Sequence, residues 1–273
     1  MPAKPETAAV FRALHAGPQI LRLPNAWDAG SARLIESLGA KAIATTSAGV
    51  AWANGYPDGD VLPVPRLLDT VAAILRVVRV PLTIDIEGGY SDAPHAVGEL
   101  AVRLAGMGVA GINLEDGAAA PSLLCAKIEA IRSACASAGL DLFVNARTDV
   151  YLRGMGRAAE RPDATLARAA DYAAAGADGL FVPGLADRAG VEQIVAGTAL
   201  PLNLLVRSAL PGAGELESWG VRRLSAGSDL AESAYRRVAT LATDFLRDGL
   251  SAPLSADSMP YPELNALFAG LDR

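Results

Sequence analysis

The stretch PLTIDIEGGYSDAPHAVGELAVRLAGMGVAGINLE, residues 81–115, reads as strand, helix, strand. Its first and last segments, Pro81–Ile86 and Gly111–Glu115, are short apolar runs suited to buried strands. Between them, residues 96–107 repeat apolar side chains at intervals of three and four, the period of one helix face. Gly106-Met-Gly108 then supplies the left-handed cap that stops a helix before the next strand. The same alternation continues outward in both directions. Apolar runs at 20–24, 42–47, 81–86, 111–115, 142–147, 179–182, 201–206 and 223–225 make eight, separated by Ala-rich helical segments. Runs buried on both faces and alternating with helices imply parallel strands joined by crossovers, and eight such units predict a closed α/β fold, the (β/α)8 TIM barrel. An open doubly wound sheet is the alternative, but no GxGxxG turn follows the first run. The expected organisation is one barrel domain over 1–273. It comprises an N-terminal helical segment (1–19, helix from about Pro5 to His15), barrel units over 20–227, and an eighth helix with a C-terminal helical tail (228–273). Within that tail a long helix is expected over about Ser228–Arg247 and a short one over Tyr261–Phe268.

Composition narrows the function. Of 273 residues, 51% are hydrophobic but only 5% aromatic, so the core must be built from Ala, Val, Leu and Ile, and a disordered chain is excluded. Lys plus Arg number 24 against 30 Asp plus Glu, a net charge of -6 without any basic cluster, which argues against a nucleic-acid partner. No apolar stretch reaches the ~20 residues of a membrane span. The N-terminus has no secretory pattern, and the two cysteines, Cys125 and Cys135, form neither a CxxC pair nor a disulfide framework, so a cytoplasmic location is expected.

In such a barrel the chemistry sits at the carboxyl ends of the strands. There the sequence places Asp85 and Glu87, two apart and expected on one side of the third run, and Asn113 and Glu115, likewise paired on the fourth. Asn145, Arg147 and Asp149 end the fifth run, and Ser47-Ala48-Gly49 follows the second, ahead of a loop carrying Asp58 and Asp60. Carboxylates converging from neighbouring strand ends cannot all stay ionised without a cation. A hard divalent ion that keeps waters in its shell, Mg²⁺ before Zn²⁺ and with Mn²⁺ possible, resolves this. Neither His15 nor His95 ends a strand. Asp116, by contrast, is expected to be a helix cap or salt-bridge partner. Arg147 offers a fork that neutralises an oxyanion without titrating.

The segments TSAGVAWANGYPDGD (46–60), DIEGGY (85–90), GINLEDG (111–117) and NARTDVYL (145–152) resemble the signature segments of the isocitrate lyase / phosphoenolpyruvate mutase superfamily. Residues 24–49 are similar to its opening strand, helix and strand. The resemblance implies a Mg²⁺-dependent barrel that makes or breaks carbon-carbon or carbon-phosphorus bonds beside a 2-oxo acid. It also implies a homo-oligomer, dimer or tetramer, that exchanges its eighth helix between subunits. Residue by residue it implies Asp85 as direct metal ligand, with Asp58, Glu87 and Glu115 holding the metal's waters. Ser47, Ala48 and Gly49 would bind the substrate carboxylate, and Arg147 its carboxylate and enolate oxygens. Asn203, on the seventh run, is a further candidate for a substrate hydrogen bond, and Ser47, Glu115 and Arg147 are the expected catalytic set.

Three departures shape the reaction expected. Where lyases of the superfamily carry a KKCGH loop with a cysteine acid, this chain has Gly117-Ala-Ala-Ala-Pro-Ser122. Thr45 replaces a frequent aromatic, and Pro183-Gly184 stands where others show His or Glu. Cys125 lies in a helical pattern and is expected to be inert, as His95 is expected to be a surface residue. Tyr90 is read as a wall of the site and Tyr56 as a lid residue, while Gly227-Ser228 is read as a helix cap. The expected activity is therefore a lyase acting on a small 2-oxo or 2-hydroxy di- or tricarboxylate through a metal-stabilised, pyruvate-like enolate. Oxaloacetate-type decarboxylation and carbon-carbon cleavage of methylisocitrate-like substrates both fit. A 2-oxo acid binding protein with little catalysis, or a carbon-phosphorus enzyme, is the alternative.

Overall fold

A computed structural model describes residues 6–271. Helix α1 (Glu6–Ala16) precedes a parallel sheet: β1 (Leu21–Leu23), β2 (Asn25–Ala26), β3 (Ile43–Thr45), β4 (Leu82–Asp85), β5 (Gly111–Glu115), β6 (Phe143–Arg147), β7 (Gly179–Phe181), β8 (Leu202–Leu205) and β9 (Arg223–Ser225). The strand order is β1-β9-β8-β7-β6-β5-β4-β3-β2. β1 and β2 are two pieces of the first predicted run, divided at Pro24, which has no N–H to give a ladder. One piece pairs with β9 and the other with β3, so the split strand closes the ring into a (β/α)8 barrel. The eight expected runs are thus nine strands.

Helices α2 (Ala29–Ser37), α3 (Ser47–Ala53), α4 (Val64–Val77), α5 (Pro94–Met107), α6 (Pro121–Ser137), α7 (Arg161–Ala175), α8 (Arg188–Gly197) and α9 (Ala213–Ser218) lie between the strands. α5 and α7 each end on a glycine in the left-handed region, Gly108 at φ 103° and Gly176 at φ 107°, a conformation that burdens any residue with a Cβ. The main apolar cluster fills the space between β3–β6 and helices α4–α6, with Ile84, Ile112, Val144 and Leu104 all fully buried. A smaller cluster lies under α7–α9. α1 plugs the amino end of the barrel: Phe11 packs edge-on to Phe143 at 5.3 Å, and His15 stacks on Phe143 at 4.3 Å.

The two expected tail helices are α10 (Asp229–Asp248) and α12 (Tyr261–Ala266), and a short unexpected one, α11 (Ala252–Ala256), lies between them. α10 buries only Ala231 and leaves Tyr235, Val238, Phe245 and Leu246 exposed, the last at 84%. No described helix is long and apolar enough to cross a membrane.

Candidate active site

The barrel mouth is built from the ends of β3–β6. Asp85, the last residue of β4, is buried, and each of its carboxylate oxygens has one partner. Oδ1 accepts the Glu87 N–H at 3.1 Å and Oδ2 accepts the Asn113 amide at 3.0 Å. Its own N–H donates to the Thr45 hydroxyl at 2.9 Å. Each oxygen keeps a lone pair for a ligand.

Glu87 corrects one expectation. The strand has ended at Asp85, and Glu87 stands in a turn at φ 52°, so the two acids do not share a strand face. Glu87 Oε2 accepts the N–H groups of Gly59 (2.8 Å) and Asp60, and Oε1 accepts the Tyr90 hydroxyl at 3.1 Å. Asp60 answers by accepting the Gly88 N–H at 3.2 Å and the Tyr90 N–H at 3.0 Å. Asp60, Glu87 and Tyr90 are the only described non-glycine residues with positive φ, and all three sit in these two interlocked loops. Strain collected in this way is held by the surrounding contacts and is typical of functional loops.

Across the mouth, each guanidinium nitrogen of Arg147, at the end of β6, has a carboxylate partner, which leaves a second N–H on each η nitrogen. Its Nη1 lies 2.5 Å from Glu115 Oε2, while Nε and Nη2 donate to the two oxygens of Asp149 at 2.7 and 3.2 Å. Asp149 is 1% exposed, and its N–H donates to Asp116 Oδ1. Asp116 is buried on Arg168 and the Tyr172 hydroxyl, both at 2.6 Å, which makes it the salt-bridge residue that the sequence suggested.

The electrostatics reflect the crowding. Burial, with Asp85 adding repulsion against Arg147, raises Glu115 to about 8. Burial and the neighbouring Asp58, Asp60 and Asp85 raise Glu87 to about 7 despite the N–H bonds it receives. Asp58 is also pushed up, chiefly by burial and then by Asp85, although the nearby Ser47 hydroxyl bonds to it. Arg147 loses hydration, yet Glu115, Asp149 and Asp85 outweigh this and hold its guanidinium more firmly charged than usual. A cation among these acids would relieve the repulsion. No three His, Cys, Asp or Glu side chains among the described residues form a cage by themselves. That donor set, hard oxygens without a closed cage, fits an ion that keeps several waters, as Mg²⁺ does, with Mn²⁺ as the next candidate.

Ser47, Ala48 and Gly49 open α3 behind the N-cap Thr46. The Gly49 N–H faces the Thr46 hydroxyl at 3.5 Å, which leaves the N–H groups of Ser47 and Ala48 for a ligand. Gly49 is glycine for space: a Cβ would meet Thr46 at 2.7 Å and Trp27 at 2.9 Å. Asn203 is not brought to the acids. It is buried inside the barrel, its Oδ1 accepting from Ser225 at 3.1 Å and its Nδ2 without a partner. Ser225 in turn takes the Nε of Arg223, a fully buried guanidinium whose Nη2 reaches Asn113 Oδ1 at 3.1 Å. Burial lowers Arg223 to about 9, with Asp85 opposing the shift.

Sequence reasoning left Asp60, Asp149 and Arg223 unassigned. Asp149 lies two residues beyond Arg147, but β6 ends at Arg147, so the period of a strand does not by itself aim it.

The sequence pattern that defines the family described as phosphoenolpyruvate phosphomutase matches residues 11–246. The chain belongs to that family. Within the family's wider PEP mutase/isocitrate lyase superfamily, it is similar to several proteins of different activity. An uncharacterized protein of Mycobacterium tuberculosis is 37% identical, with 94% of this chain and 95% of the other covered. An oxaloacetate decarboxylase of Ectopseudomonas mendocina is 31% identical, covering 73% and 70% of the two chains. Among solved structures, a Burkholderia cenocepacia J2315 protein provisionally described as a phosphonomutase superposes with a TM-score of 0.83 at 41% identity, covering 87% and 99%. A 2,3-dimethylmalate lyase gives 0.84 at 25% identity over 96% and 94%.

Proposed function

We propose that this family member is a Mg²⁺-dependent lyase acting on a small 2-oxo or 2-hydroxy di- or tricarboxylate through a pyruvate-like enolate. The observation that carries the reading is the Asp58, Asp85, Glu87 and Glu115 group facing Arg147 across the barrel mouth. Asp85 would hold the metal directly, and Asp58, Glu87 and Glu115 its waters. When bound, the ion supplies positive charge beside the oxygens of the 2-oxo acid.

The protein's own groups do the rest. The Ser47 hydroxyl and the N–H groups of Ser47 and Ala48 orient the substrate carboxylate. Arg147, held by Glu115 and Asp149, presents a pre-set cation to the developing enolate oxygen and keeps its own proton. Glu115, the third member of the catalytic set, is ion-paired to Arg147 and would fix the direction of its guanidinium. The loop 117–122 carries no acid or cysteine, which favours a reaction with little proton management, such as decarboxylation of an oxaloacetate-like substrate. The oxaloacetate decarboxylase and 2-methylisocitrate lyase relatives support this substrate class.

The reading includes a homo-oligomer. α10 carries an apolar stripe at Leu230, Ala234, Val238, Leu241 and Phe245. A groove of about 720 Å³ beside α1 and α2, lined by Leu14, Leu21, Leu34, Ile35 and Leu38, matches it in chemistry. An exposed stripe and an open groove on one chain are met by exchange of α10 between copies. Cys125 and Cys135 are unpaired, in keeping with a cytoplasmic location.

The test is turnover of oxaloacetate, methylisocitrate, dimethylmalate and phosphonopyruvate with Mg²⁺ and after chelation. Chelator-sensitive cleavage of a carbon-carbon substrate is the expected result. Tight 2-oxo acid binding without turnover would favour the binding-protein alternative, and phosphonopyruvate as sole substrate the carbon-phosphorus one.

A further inference from the structure

Beside the acids a cavity of about 480 Å³ opens outward between the loops after β4, β5 and β6, with Glu87, Tyr90, Glu115, Gly117, Lys127 and Arg153 on its walls. Two cations face it. Lys127 is committed, since its Nζ donates to the Gly88 carbonyl at 2.7 Å and lies 3.7 Å from Asp92. Arg153 is not. Only its Nε is bonded, to Asp149 Oδ2 at 3.2 Å, and neither η nitrogen has a partner among the described residues. Its side chain is 49% exposed, against 18% for Arg147, whose three nitrogens each have a carboxylate partner.

Gly117 fixes the relation of Arg153 to the reacting end. Arg153 Nη2 and Glu115 Oε1 each lie 3.8 Å from the point where a Gly117 Cβ would stand, so they are no farther apart than twice that distance. Gly117 stands at φ 52°, where glycine is favoured, and its lack of a side chain leaves the passage between the two groups open. Two or three carbons bridge that gap. The residues after Gly117, Ala118 to Ala120, offer no side-chain donor, while Asp60, Glu87 and Asp92 on the other walls repel an anion. A second carboxylate entering this cavity has one free fork to meet it.

We propose that Arg153 binds the far carboxylate of the substrate and so selects dicarboxylates over monocarboxylates; this rests on the 2-oxo acid reading of the adjoining site. Arg153 is then a specificity residue, distinct from Arg147 at the reacting end. Loss of a charge-assisted fork to a carboxylate corresponds to about a 10- to 100-fold loss in affinity.

The test is calorimetric binding, with Mg²⁺ present, of three probes to the wild-type protein and to Arg153→Ala and Arg153→Lys. Oxalate occupies the reacting end alone. 2-Oxoglutarate and 2-oxopentanoate share that end and differ by the far carboxylate. Wild type should bind oxalate and prefer 2-oxoglutarate to 2-oxopentanoate about 10- to 100-fold. Arg153→Ala should erase the preference with oxalate affinity within about twofold of wild type, and Arg153→Lys should restore part of it. A preference that survives in Arg153→Ala, or is absent in wild type, overturns the proposal. So does an equal loss of oxalate affinity in Arg153→Ala, because Arg153 would then act through Asp149 on Arg147. Failure of wild type to bind any of the three overturns the 2-oxo acid reading itself.

Discussion

Glu87 and Asp60 hold each other's backbone: the Glu87 carboxylate accepts the N–H groups of Gly59 and Asp60, and the Asp60 carboxylate accepts those of Gly88 and Tyr90. The exchange ties the loop bearing Asp58 to the turn that follows Asp85, so candidate metal-site acids from the α3–α4 loop and from the end of β4 are tied by one lock. Asp60→Ala removes half of it and strands two N–H groups. We expect kcat/KM to fall about 10- to 100-fold with a loss of about 1–2 kcal/mol in stability. Asp60→Asn, which keeps an acceptor and tolerates the left-handed backbone, should lose less. Equal activity of wild type and Asp60→Ala would show that the lock does not serve the site.

Arg147→Lys keeps a positive charge but cannot bridge Glu115 and Asp149 with a planar fork. Activity and affinity for a 2-oxo acid should both fall clearly, by about 10²-fold or more in kcat/KM. Unchanged pyruvate affinity in the variant would remove Arg147 from the site.

The barrel was legible because its signal is periodic. Apolar runs, helix faces and glycine caps recur along the whole chain, and each repeat supports the next. The split of the first strand at Pro24 was not, since Pro24 also suits the end of a run, and only the pairing of β1 with β9 and β2 with β3 exposes it. The site was half legible. Asp85, Glu115 and Arg147 end strands, where position alone gives direction. Glu87 and Asp60 act from turns, where direction depends on left-handed backbone angles that a period of two does not describe. Arg223 was invisible for another reason: a lone Arg in a short run gives no hint that Asn113, Ser225 and the Phe11 ring will enclose it.

Cys125→Ser should keep most of the activity. The thiol lies on α6, outside the acid group, and burial together with Asp171 and Glu129 pushes it up, away from the thiolate. A displaced general acid would cost about 10²- to 10⁴-fold when lost. A hundredfold fall at an unchanged melting temperature would identify Cys125 as that acid and move methylisocitrate-type cleavage ahead of decarboxylation.

His15 sets an acid limit on stability. Burial, followed by the nearby Arg223, lowers it to about 3, and its Nδ1 donates to the Phe11 carbonyl at 2.8 Å. The unfolded chain titrates near 6.5, so folding favours the neutral ring. Its contribution is complete above pH 6.5 and is lost as the pH falls toward 3, about 2 kcal/mol of it by pH 5. Denaturant midpoints at pH 7.5 and 5.0 should therefore converge more closely for His15→Gln than for wild type. Parallel losses in the two proteins would mean that other groups govern acid unfolding.

The proposed homo-oligomer rests on the exposed stripe of α10. Val238→Glu with Phe245→Glu puts charge on that face, and sedimentation should shift from a dimer or tetramer toward the monomer. A wild-type protein that sediments as a monomer would refute the exchange of α10.

On the proposed reading, Asp85 holds a divalent ion at the mouth of the barrel. Calorimetric titration of Mg²⁺ into the wild-type protein and into Asp85→Ala tests it most directly. Removing Asp85 relieves the repulsion on Asp58, Glu87 and Glu115 but strands the Glu87 N–H and the Asn113 amide, so the variant should fold with a modestly lowered melting temperature. The wild type should show a defined Mg²⁺ site, and the variant a loss of at least about tenfold in affinity. Equal Mg²⁺ affinity in the two folded proteins would contradict it.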